Sequence, residues 1–328
     1  MRLWILAGLL VVASACGLGQ EAANGTALDS DHDGLTDVQE QALLEQFAPR
    51  FMISRDDCSS QPAEFEPSVS RPVVAAENST IYGQAFPRAG HGEQIELHYY
   101  DLWRRDCGQR GHNLDAEHVS ALLERDGGGE WKARYWYAAA HEDTLCDASQ
   151  IAKAGTLKAE LHGPEIWISY GKHGAFLEQA ICSRGCGADR CTKDEPLSIG
   201  ALVNVGEPSA PMNGAVWVDS TDWPLGDKLR RSDFADARVA RADEIPTGEV
   251  VWANPGKRPA QTAILGGNDA IAGVGTGMRA TDVALSAADV QTGAALDTAS
   301  GKTGNALTRA YRGVKKALQG SVRAVEGK

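Results

Sequence analysis

Residues 117–140 read EHVSALLERDGGGEWKARYWYAAA, and their pattern decides the fold. An alternating and apolar run spans 117–123, Asp126-Gly127-Gly128-Gly129 supplies a hairpin-like turn, and 131–140 is again apolar and aromatic. Successive side chains on a strand face opposite ways, and glycines accept turn backbone, so two strands joined by a turn are predicted. The same grammar repeats on either side. Residues 80–86, 94–102, 165–170 and 215–218 are short runs of this kind, separated by Gly, Pro, Asn and Asp. Many short strands with turn signals predict a mainly β chain, with a β-sandwich domain over 52–265.

A second signal precedes the sandwich. Residues 29–40 read DSDHDGLTDVQE. Asp29, Asp31 and Asp33 alternate, Gly34 stands where the chain must turn sharply, and Asp37 and Glu40 follow at the spacing of a twelve-residue calcium loop. A hard cation takes six to eight oxygens, and the Leu35 carbonyl supplies one more. A helix over 37–51 is predicted, with Val38, Leu43, Leu44 and Phe47 on one side and Pro49 at its end. No helix is evident before the loop. The loop thus resembles the single acidic loops of thrombospondin type 3 and dockerin-like repeats, and calcium is its expected ion.

The chain start points to export. Arg2, an apolar run and Ala13-Ser14-Ala15 form a signal peptide over 1–15. Cys16 follows, as in a bacterial lipoprotein box, so a lipidated Cys16 in the cell envelope or an extracellular protein is expected. Residues 16–28 read as a tether. Six cysteines remain: Cys58, Cys107, Cys146, Cys182, Cys186 and Cys191. An even set in an exported chain implies disulfides, and sequence leaves all pairings open. The close spacing of Cys182, Cys186 and Cys191 raises zinc as the rival reading.

The formal net charge of −12 opposes nucleic-acid binding and suits divalent cations. Residues 266–277 are glycine-rich and read as a linker. Residues 278–328 turn Ala-rich, with Leu307, Tyr311, Val314, Leu318, Val322 and Val325 in a helical stripe and basic residues on the other faces. That tail is expected to dock on an anionic membrane or an acidic partner, or to be a helix packed on its own domain or a partly ordered tail.

Residues 111–119 read GHNLDAEHV. Strand alternation puts Asp115 and Glu117 on one face and His118 on the other, with His112 just before. A His and two carboxylates so placed suit a second divalent cation, calcium or magnesium. This stretch resembles the G-H-R-H-D-W-E heptapeptide of the necrosis- and ethylene-inducing-peptide-like cytolysins. It also resembles the H-x-x-D-W-E segment of the vacuolar-sorting-related proteins of plants and fungi. Residues 43–51, 65–69, 135–141 and 165–176 are similar to further segments of the second group, in the same order, so the resemblance spans about 41–235. It implies a sandwich fold and makes His112, Asp115 and Glu117 metal ligands. It puts His173 near the site or bound through water, His141 as a weaker member, and Asp106 or Asp101 as the upstream acid. Ala116 and Leu114 replace the heptapeptide's Trp and second His, a departure that counts against cytolysin activity. The expected function is a cation-dependent binding module for a polar ligand, a glycan or lipid headgroup. A metal-dependent hydrolase at His112/Asp115/Glu117 and a membrane-active protein are the alternatives.

Overall fold

The computed structural model describes residues 28–257, apart from 70, 109, 110, 143, 145, 187, 188, 216–225 and 227. The expected signal peptide, Cys16, most of the tether, the linker 266–277, the tail 278–328 and three residues of the 215–218 run lie outside the described residues. The chain divides into two units, Met1–Ala140 with Ser149–Ser183 and Ala188–Ala253, and His141–Ala148 with Arg184–Gly187 and Asn254–Lys328.

In the first unit the described elements are α1 (Asp37–Gln46), β1 (Arg50–Ser54), β2 (Ala63–Phe65), β3 (Val74–Glu77), β4 (Thr80–Pro87), β5 (Gln94–Arg105), β6 (Asn113–Arg125), β7 (Trp131–Ala138), β8 (Gln150–Lys153), β9 (Glu165–Ile168), β10 (Ala175–Phe176), α2 (Gln179–Cys182), β11 (Asp194–Pro196), β12 (Ala201–Asn204), β13 (Gly206–Glu207), β14 (Ala210–Pro211), α3 (Asp236–Asp243) and β15 (Val250–Trp252). A seven-stranded sheet runs β12-β4-β5-β6-β7-β8-β15, and a four-stranded sheet runs β10-β9-β1-β11. The chain is mainly β, as its pattern predicts. The 126–129 turn joins β6 to β7: the Asp126 carbonyl accepts from Gly129 N–H (2.9 Å), and its carboxylate accepts from Gly128 N–H (2.8 Å).

Alternation along the central strands sorts two cores. On β5, Ile95, Leu97, Tyr99 and Trp103 join Val119, Ala121 and Leu123 of β6, Phe51 of β1, Ile166 of β9 and Leu44 of α1 in the main core. The other face of the seven-stranded sheet is covered too. Tyr82, Tyr100 and Leu102 pack with Phe65 and Leu229, while Leu122 and Tyr137 pack with Phe234 and Val239. Burial on both faces explains why β5 is buried at ten consecutive positions. It also places polar groups in the interior. Glu96 meets His98 (3.1 Å), and the Asp233 carboxylate meets His118 (2.9 Å) and accepts from Ser120 Oγ (2.6 Å).

Two expectations need correction. The helix ends at Gln46, and Phe51 lies in β1, because Pro49 bars the preceding residue from helical backbone. Val38 is 77% exposed; the buried stripe of α1 is Glu40, Leu43, Leu44 and the capping Phe47.

All six cysteines pair: Cys58–Cys107, Cys146–Cys186 and Cys182–Cys191. With Cys186 bonded to Cys146, the 182–191 cluster offers no thiolates, and the zinc reading falls. Cys146–Cys186 lies in the second unit. There Asp147 accepts from Asn254 Nδ2 (2.8 Å) and Lys257 Nζ (3.2 Å).

Candidate metal centre

The acidic loop folds through its own side chains. Asp29 accepts from the N–H groups of His32 (2.8 Å) and Gly34 (3.2 Å). Gly34 turns at φ +98°, a backbone that side chains rarely adopt. Asp33 Oδ1 accepts from Leu35 N–H (2.7 Å). Thr36 and Gln39 then form a reciprocal capping box that starts α1. Among the described residues, Asp29, Asp31 and Asp33 bring carboxylate oxygens within 4.8 Å of one another.

Asp37 closes the loop. Both its oxygens accept from Ser30, one from N–H and one from Oγ, each at 2.7 Å. These bonds hold its carboxyl below the usual range.

Four other oxygens are buried without a hydrogen-bond partner: Asp31 Oδ1, Asp33 Oδ2, Glu40 Oε1 and Glu207 Oε1. Glu40 is fully buried, on the α1 face where an apolar residue belongs. Its Oε2 accepts from Asn204 Nδ2 at 2.9 Å. Burial, then the charges of Asp31 and Asp33, push Glu40 up to about 8. Burial raises Asp33 to about 6, and burial followed by the charge of Asp31 raises Glu207 to about 7. Carboxylates that raise one another repel. The donor atoms here are all oxygen, a set that fits a hard divalent cation. Glu207 was missed in sequence because it stands alone in a short strand, with no acidic neighbour to flag it.

The second predicted site is not gathered in the same way. On β5 and β6, Asp101 lies across from Glu117 and Trp103 across from Asp115. Asp101 is fully buried; Oδ2 accepts from Trp103 Nε1 (3.1 Å), Oδ1 has no partner, and burial pushes it up to about 6. Glu117 lies 3.9 Å from the ammonium of Lys228, whose Nζ also donates to the Ala116 carbonyl. His173 is buried and stacked on Trp103, with ring centroids 4.1 Å apart. Its ring nitrogens lie 3.4 Å from Asp115 and 3.6 Å from Asp57. Burial alone would push the imidazole down; Asp115 and Asp57 outweigh it and hold it at about 9. His112 is exposed, with Nδ1 3.1 Å from the Leu114 carbonyl and Nε2 3.7 Å from Asp106. Asp106 accepts from Gly108 N–H at 2.5 Å. Lys228 and His173 thus stand beside these carboxylates, and His112 is exposed. His141 belongs to the second unit, at φ 53°.

No protein-family model matches the chain. No curated protein matches it either. Among solved structures, NLPPya in complex with glucosamine is 14% identical, with 66% of this chain and 94% of that chain covered at a TM-score of 0.37. Necrosis and Ethylene inducing Protein 2, from the causal agent of cocoa's Witches Broom disease, is 16% identical, with 66% and 96% covered and a TM-score of 0.37. The non-toxic HaNLP3 protein is 13% identical, with 66% and 95% covered and a TM-score of 0.36.

Proposed function

We propose that the protein is an exported β-sandwich that binds calcium in its 29–40 loop and uses the folded domain to bind a polar ligand, a glycan or lipid headgroup. One observation carries the calcium reading: Asp31, Asp33 and Glu40 each hold a buried oxygen that has no hydrogen-bond partner. An uncompensated buried carboxylate is costly, and a cation among the three would remove that cost. Three disulfides fit an oxidising compartment and so support export. The polar-ligand reading draws on the exposed imidazole of His112, whose Nε2 lies 3.7 Å from Asp106.

Thermal melting with calcium and with chelator tests the calcium reading. Calcium raises the melting temperature, and Asp31→Ala abolishes the rise; superimposable wild-type curves would remove it. For the ligand, a glycan panel and anionic vesicles are offered in calcium and in chelator. Retention by one class is expected, and retention by neither rejects the binding role.

A further inference from the structure

Within residues 29–40, Asp37 closes the loop onto Ser30. A further carboxylate comes from outside the loop. Glu207 lies in β13, 176 positions from Asp31 in the chain, yet its N–H donates to Asp31 Oδ2 at 3.2 Å. Its own Oε1 is buried and unpartnered, like those of Asp31, Asp33 and Glu40.

The backbone around Glu207 is built to hold it there. Asn204 is buried; its amide donates to Glu40 Oε2 (2.9 Å), and its carbonyl oxygen accepts from Gly206 N–H (3.1 Å). One side chain therefore orients Glu40 and the turn that leads to Glu207. Gly206 stands at φ +64°, and a Cβ there would meet Met212 at 2.7 Å and the Ala210 carbonyl at 3.0 Å. Val205 N–H donates to the Gly83 carbonyl (2.9 Å), which fixes this turn to β4.

We propose that Glu207 is a ligand of the calcium ion, which therefore clamps the 29–40 loop and α1 to the two-stranded β13–β14 sheet. The proposal rests on the calcium reading of the loop. Ligand charge count tunes affinity in such sites, so losing one of four inward carboxylates weakens binding substantially. The ion acts as a long-range staple, joining segments far apart in sequence.

Calorimetric titration of calcium chloride into the full-length chain tests it, with wild type, Glu207→Gln, Glu40→Gln and the surface control Glu249→Gln. Glu207→Gln and Glu40→Gln are each expected to weaken calcium by roughly tenfold or more, and Glu249→Gln to leave it unchanged. Wild-type affinity in Glu207→Gln beside a weakened Glu40→Gln overturns the Glu207 ligand and leaves the loop site standing. No calcium binding by wild type overturns the loop reading itself. Should Glu207→Gln fail to fold, amide exchange on wild type decides. Calcium is expected to slow exchange over residues 205–212, and equal exchange with calcium and chelator rejects the clamp.

Discussion

Glu40 occupies a helix position whose neighbours, Leu43, Leu44 and Phe47, are all core. Its carboxyl is held near 8 in the cation-free fold, against an ordinary 4.5, and Glu207 is held near 7. A raised folded pKa means the native state binds the proton more tightly than the unfolded chain does. The associated stability is present below about pH 4.5 and is lost as pH rises through about 7 to 8. In chelator the melting temperature therefore falls between pH 5 and pH 8, while the increment given by calcium grows over the same range. A chelated protein that gains stability across that range contradicts this. His173 carries the opposite charge. Held at about 9 between Asp115 and Asp57, its ring is expected to remain an imidazolium at neutral pH, which nitrogen chemical shifts would read. Most of this was partly legible: the loop spacing named Asp31, Asp33 and Glu40, whereas the pairing of Asp37 with Ser30 depends on a short contact no spacing rule expresses.

At the scale of elements, α1 is set by its cap and its buried stripe. Thr36→Ala removes the reciprocal cap and is expected to cost about 1 kcal/mol in denaturant unfolding. Leu44→Ala empties a fully buried site; its methyls fill the space against Gly83, where a Cβ would stand 2.9 Å from them. A loss of about 2–5 kcal/mol is expected, and Val38→Ala, at an exposed position, is expected to be near neutral. The long hairpins were readable because alternation and the glycine turn agree. The short strands β1 to β3, β8 and β10 to β15 were not, since a few residues pairing with one another or with distant partners carry no period of their own. The parallel pairing of β1 with β9 and of β12 with β4 is a tertiary choice of this kind.

At the scale of the molecule, sequence carried the class and the parity of the cysteines, and the fold supplied their partners. Cys58–Cys107 closes a separation of 49 residues beside the β5–β6 end, where Cys107 N–H donates to the Gly171 carbonyl. Chain-entropy reasoning gives such a cross-link about 4 kcal/mol, so replacing both cysteines with serine is expected to lower the unfolding midpoint clearly. The predicted second ion site shows what spacing omits: Lys228 arrives from elsewhere and stands 3.9 Å from Glu117, while His173, which the resemblance puts near the site, lies 3.4 Å from Asp115. Sequence could place the acids on one face, and only the packed chain shows the cations that meet them.

The most direct measurement is the calcium content of the folded, full-length protein by equilibrium dialysis at millimolar calcium, compared with Asp31→Ala. The account expects calcium bound in the wild type that disappears with the substitution. Equal calcium in the two proteins, or none in either, would contradict it.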